Sequence, residues 1–139
     1  MTAVQYGGLP RTATRMNSIE PKKTLVIGAT ENRDRYANQA AQSLLKRGHA
    51  IELLGLRAGE IEGHPIRTGQ PDLSGIDTVT MYVGPRNQPV YYDYIRQMKP
   101  RRVIFNPGAE NPDFARELRS DGIEPIDACT LVMLSVGTY

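Results

Sequence analysis

The sequence predicts an α/β domain built on a doubly wound parallel sheet of about five strands. Three observations carry that prediction. Short, continuously apolar, β-branched runs recur along the chain, residues 24–27 first among them, and such runs suit strands covered on both faces. Between the runs lie segments whose apolar residues fall at helical spacing, giving βαβ, an interrupted connection, then βαβαβ; that alternation builds a parallel sheet with helices on both sides. The composition, 40% hydrophobic and 23% charged over 139 residues, supplies enough apolar surface for one core and has no long polar tract.

Residues 24–27 form the first strand. It ends in Gly28-Ala29-Thr30 and a polar loop over 31–35. Ala37, Ala40, Ala41, Leu44 and Leu45 share one face of a helix over 36–47. Lys46 and Arg47 suit the negative end of its dipole, and Gly48 stops it. A second strand over 50–54 precedes a glycine-rich loop over 55–63 and a short extended piece over 64–67. The third strand, 77–83, is broken by Gly84-Pro85. Pro89 opens a helix to Met98, because a proline in the first turn lacks only an N–H that would have no partner there. Residues 102–105 make the fourth strand, 112–120 a helix stopped by Asp121-Gly122, 123–126 the fifth strand, and 128–134 a last short helix. Parallel crossovers are right-handed, which narrows the architecture to a Rossmann-like sheet. The chain divides near residue 20: residues 1–20 read as a disordered leader, residues 21–139 as a single domain.

Bulk properties exclude several roles. With 17 basic and 15 acidic residues, the net charge of +2 argues for neither a nucleic-acid partner nor an anionic membrane. A single cysteine, Cys129, rules out an intramolecular disulfide and a multi-cysteine metal site, so a reducing, cytoplasmic setting is expected. No stretch approaches the roughly 20 apolar residues needed to cross a bilayer.

In open parallel sheets, ligands bind beyond the carboxyl ends of the strands, where the strand order reverses. Three segments are expected to meet there: 28–38, 54–58 and 83–87. In the first, Gly28 permits close approach, Ala29 is small, and Thr30 offers a hydroxyl. A helix N-terminus follows at Tyr36, with unpaired N–H groups that suit a phosphate, and Arg33 and Arg35 add cations. Set against this is a bare strand-to-helix turn. The dinucleotide pattern G-x-G-x-x-G is incomplete, since Thr30 stands at its second glycine. At the end of the second strand there is no carboxylate for a ribose, but Arg57 is there; it suits a ribose phosphate, as in NADP or coenzyme A. Val83, Gly84 and Pro85 could wall the pocket or form a plain turn.

These residues resemble the small bacterial and archaeal CoA-binding proteins, akin to the CoA-binding domain of the succinyl-CoA synthetase alpha subunit. The resemblance spans roughly residues 22–130. It lies in Leu25-Val26-Ile27-Gly28-Ala29-Thr30, in Arg35, Ala37 and Asn38, in Leu44-Leu45-Lys46-Arg47-Gly48-His49, in residues 59–63, and in 122–127 leading to Cys129. It implies a coenzyme A or acyl-CoA site with Gly28, Ala29, Thr30, Arg35, Tyr36 and Asn38 around the diphosphate. Arg57 would lie near the adenosine end, and Val83, Gly84 and Pro85 against the adenine. Where the family often has Asn-Pro after the second strand, this chain has Gly55-Leu56. The resemblance implies a small-molecule nucleotide ligand but no reaction.

Catalytic candidates are few. Apolar neighbours make Cys129 a buried, inert thiol on this reading. His49 is expected at a surface turn and His64 in a loop, neither with a partner at metal-ligand spacing. Glu110 could act as a base, but Asn111 before Pro112 reads as a helix cap. Tyr91, Tyr94 or Ile95, and Met98 share a helix face, for core packing or for a subunit interface, which leaves a homo-oligomer open. The function expected is coenzyme A or acyl-CoA binding by a non-catalytic binding or sensor module. The alternative is a small NADP-dependent reductase-like enzyme.

Overall fold

All four residues of β1 (Thr24–Ile27) are buried, as a strand covered by helices on both sides must be. The computed structural model describes residues 20–139, so the leader expected over 1–20 lies outside the described residues apart from Glu20. After β1 come α1 (Tyr36–Lys46), β2 (Ile51–Leu54), β3 (Gly59–Ile61), β4 (His64–Arg67) and β5 (Thr78–Met81). The rest of the chain forms α2 (Tyr92–Met98), β6 (Arg102–Phe105), α3 (Pro112–Ser120), β7 (Glu124–Asp127) and α4 (Thr130–Val136).

The strands form one sheet in the order β3-β4-β2-β1-β5-β6-β7. Every pairing is parallel except that of β3 with β4. Alternation along the strands sorts the side chains. Leu25, Ile27, Val79, Met81, Val103 and Phe105 pack on one face with Ile95 of α2 and with Phe114 and Leu118 of α3. Val26, Leu53 and Ile104 pack on the other with Ala37, Ala41 and Leu44 of α1 and Leu134 of α4. Helices therefore cover both faces, and the doubly wound Rossmann-like architecture is the one expected. From β1 the chain builds outward to β2 and β4, then returns to add β5 on the other side of β1. The strand order reverses between β1 and β5.

Among the described residues the sheet has seven strands, not about five. The two extra strands fall where a glycine-rich loop and a short extended piece were expected. They form a hairpin whose two turn residues, Glu62 and Gly63, both have positive φ (50° and 81°). Two-residue hairpin turns need that geometry, but Asn-Gly or Asp-Gly is its usual signature, and Glu-Gly is not. Pro65, which lacks an N–H for the ladder, lies within β4. It is tolerated because it stands opposite Glu60, and pairing with β2 begins only at Ile66. Before α2 the chain makes two 3-10 turns, Pro85–Asn87 and Pro89–Tyr91, so Pro89 opens a tighter turn before the helix itself.

Two residues depart from expectation. Gly48 does end α1, with φ 87°, but His49 is not at the surface: it is 2% exposed. Its Nδ1 accepts the Lys22 N–H at 3.0 Å, and its ring meets the Tyr139 ring edge-on, 5.0 Å between centres. The cover comes from a residue 90 positions away, which local sequence cannot reveal. Cys129 is half-buried rather than buried, and stands at the N-cap of α4.

Candidate functional site

The crevice at the reversal point is built first by backbone. Gly28 has φ 99°, a left-handed conformation that glycine adopts without strain. A Cβ there would lie 3.2 Å from Tyr82 Cβ and 3.3 Å from Val83 Cγ2. Glycine thus lets the continuation of β5 pass close by, and the Tyr82 N–H donates to the Ile27 carbonyl at 2.9 Å. On the other side, the N–H groups of Gly28 and Ala29 both donate to the Leu54 carbonyl, at 2.9 and 3.0 Å. Gly55 follows, and a Cβ on it would stand 2.3 Å from the Ala29 carbonyl oxygen. The first two expected segments therefore meet through Leu54 and Gly55, and the third reaches the crevice at Val83, just after Tyr82.

The Leu54 carbonyl already engages the Gly28 and Ala29 amides, so these residues shape the loop. Further on, the N–H groups of Tyr36 and Ala37, the first two of α1, have no acceptor among the described residues. No side chain caps α1 and its first turn carries no acid. An anion placed there would meet two free donors and the positive end of the helix dipole.

The side chains divide into struts and free groups. Asn38 is buried; its Nδ2 donates to the Thr30 carbonyl at 2.9 Å, and its Oδ1 accepts from Gln42 Nε2 at 2.6 Å. Thr30 Oγ1 accepts the Asn32 N–H at 3.2 Å. Arg33 is drawn aside, 3.6 Å from Glu62 Oε2 and 3.4 Å from Gln42 Oε1. Arg35 and Arg57 are exposed and form no ion pair among the described residues. Tyr36 projects outward, 70% exposed. Val83 and Gly84 are half-buried and Pro85 exposed at the rim.

Two buried amides that the sequence did not single out as struts hold this end of the sheet. Gln88 Nε2 donates to the carbonyls of Val83 (2.8 Å) and Ala109 (2.7 Å), tying the loops after β5 and β6 together. Asn106 Nδ2 donates to Thr80 Oγ1 at 2.8 Å, while its Oδ1 accepts the Thr130 N–H at the start of α4, also at 2.8 Å. Both are polar residues in or beside loops, where composition alone suggests solvent. Asn111 caps α3 as expected, its Oδ1 accepting the Phe114 N–H at 3.1 Å. Glu110 closes its own loop by accepting the Gly108 N–H at 2.8 Å.

Among the described residues, no group of three or more His, Cys, Asp or Glu side chains is placed to hold a metal, and no helix is long and apolar enough to cross a membrane. Two surface hollows, one beside Arg96 and Asp121 and one between α3 and β7, include no residue of the β1–α1 loop.

A doubly wound sheet with this crevice at its reversal point places the chain among the Rossmann-like α/β proteins. More narrowly, it belongs to the CoA binding domain family, which matches residues 22–135, so the resemblance read from the sequence holds. A crystal structure of an uncharacterized protein is 48% identical, with a TM-score of 0.85, covering 87% of this chain and 100% of that one. The cell-free ID.343 protein of Thermus thermophilus is 18% identical, with a TM-score of 0.75 and coverage of 86% and 91%. The dinucleotide-forming acetyl-coenzyme A synthetase 1 of Ca. Korarchaeum cryptofilum, solved with phosphate and ADP, is 16% identical, with a TM-score of 0.65; the match covers 78% of this chain and 26% of that one. These last two likenesses show the fold. A search of the curated proteins finds no match.

Proposed function

We propose that this protein binds coenzyme A or an acyl-CoA along the carboxyl ends of β1, β2 and β5, as a binding or sensor module rather than a catalyst. The observation that carries this reading is the pair of Tyr36 and Ala37 amides, which, like the neighbouring Arg35 side chain, have no partner among the described residues, in a chain of the CoA binding domain family. The diphosphate sits against those amides, with Gly28, Ala29, Thr30 and Asn38 shaping the loop around it. Arg57 reaches the ribose phosphate, and Val83, Gly84 and Pro85 border the adenine. A non-catalytic role is supported by the polar groups after β6, since Glu110 and Asn111 are engaged in closing a loop and capping a helix.

Thermal unfolding with and without ligand tests this. A ligand at 100 times its dissociation constant adds about 2.7 kcal/mol to stability, which raises the melting temperature of a domain this size by several degrees. Coenzyme A is expected to give that rise and NADP not. A rise with NADP alone would replace this reading with a reductase-like one, and no rise with either would remove the nucleotide site.

A further inference from the structure

Glu31 is out of place in a loop that seats an anion, because its carboxylate would repel a diphosphate. Its charge is turned elsewhere. Glu31 Oε2 accepts the main-chain N–H of Glu60 in β3 at 2.9 Å. The neighbouring Gly59 makes room: a Cβ on it would lie 2.5 Å from the Glu31 Cδ and 2.8 Å from Oε2. β3 is the outer strand of the sheet, so among the described residues no further strand supplies an acceptor for the Glu60 N–H. Two residues along the same loop, Arg33 Nη1 lies 3.6 Å from Glu62 Oε2 in the hairpin turn. The loop is thus fastened to the hairpin at two points. The exposed Arg33–Glu62 pair is the weaker tie; the carboxylate–amide bond is charge-assisted and the stronger.

We propose that Glu31 is a positioning residue of the ligand site. Its carboxylate clasps the outer edge of β3, keeps its charge away from the diphosphate, and holds the β1–α1 loop in the form that presents the Tyr36 and Ala37 amides. The proposal rests on the coenzyme A reading of the site. It assigns the β3–β4 hairpin a role: a backstop for the phosphate loop.

The experiment combines amide hydrogen exchange at Glu60 with calorimetric titration of coenzyme A, on the wild type and three variants. In Glu31→Ala, exchange at Glu60 is expected to quicken about tenfold and coenzyme A to bind about fivefold more weakly. Glu31→Gln keeps an acceptor oxygen but loses the charge assistance, so both readouts should fall between wild type and Glu31→Ala. Gly59→Ala evicts the carboxylate and should match Glu31→Ala, which keeps the test open if either variant fails to fold. Unchanged exchange at Glu60 in Glu31→Ala overturns the clasp. Faster exchange with unchanged affinity overturns the positioning role, as does tighter binding in both Glu31 variants, which would mark the carboxylate as a repelling charge. Wild-type protein that takes up no coenzyme A overturns the reading of the site, while the exchange data still decide the clasp.

Discussion

The guanidinium of Arg102 lies 4.5 Å from the centre of the Tyr139 ring, and both residues are 4% exposed. Arg102 Nε donates to Thr78 Oγ1 at 2.9 Å, and Nη2 to the main-chain oxygen of Tyr139 at 3.2 Å. The Tyr139 hydroxyl is 2.6 Å from Thr24 Oγ1. Residues of β1, β5 and β6 are joined beneath one aromatic ring. No carboxylate side chain pairs with Arg102 among the described residues; a hydroxyl, a main-chain oxygen and a π face hold the cation instead.

Removing that ring exposes a buried cation and leaves a void. Tyr139→Ala is expected to cost about 3–5 kcal/mol, read as a lower midpoint in urea unfolding. Tyr139→Phe keeps the ring and loses one hydrogen bond, for about 1 kcal/mol. Equal losses for the two variants would show that the hydroxyl, and not the ring, does the holding.

The same cluster predicts a pH dependence. Burial holds the His49 imidazole below its ordinary pKa, and the Lys22, Arg102 and Arg47 cations push the same way. The unfolded chain therefore binds a proton at a pH where the folded protein does not, so this contribution to stability is intact above about 6.5 and declines as pH falls toward the lowered folded value. His49→Asn keeps an acceptor for the Lys22 N–H but does not titrate. Its urea midpoint should change less than the wild type's between neutral and mildly acidic pH. Parallel curves would remove His49 as the source.

At the crevice proposed for coenzyme A, Arg57 is expected to act on one end of the guest. Arg57→Ala should weaken coenzyme A about fivefold, less so at high salt because the side chain is exposed, and should leave dephospho-coenzyme A nearly unaffected. Calorimetric titration of both ligands checks this. Equal weakening would move Arg57 away from the ribose phosphate.

Much of the candidate site follows from local sequence. Gly28-Ala29-Thr30 after an apolar run, with a helix beginning at Tyr36, already marks a strand–loop–helix turn, because glycine freedom and helix periodicity act over a few residues. The partners of those groups are not local. Gly28 and Ala29 donate to Leu54, Arg33 is drawn to Glu62, and Asn38 serves as a strut for Thr30. Unpaired amides at the start of the helix near Tyr36 are expected from the sequence; what only the fold shows is that the Gly28 and Ala29 amides are engaged by Leu54.

By itself the sequence determined the alternation of strands and helices and the covered parallel sheet, because both rest on apolar periodicity; the family was legible only through the resemblance of its short motifs to known CoA-binding proteins. The tertiary structure decided the β3–β4 hairpin, the burial of His49 under Tyr139, and the way Glu31 turns onto Glu60. The hairpin is local, but its Glu62-Gly63 turn lacks the usual Asn-Gly or Asp-Gly signature; the other two depend on partners 90 and 29 residues away, whose pairing no local pattern encodes.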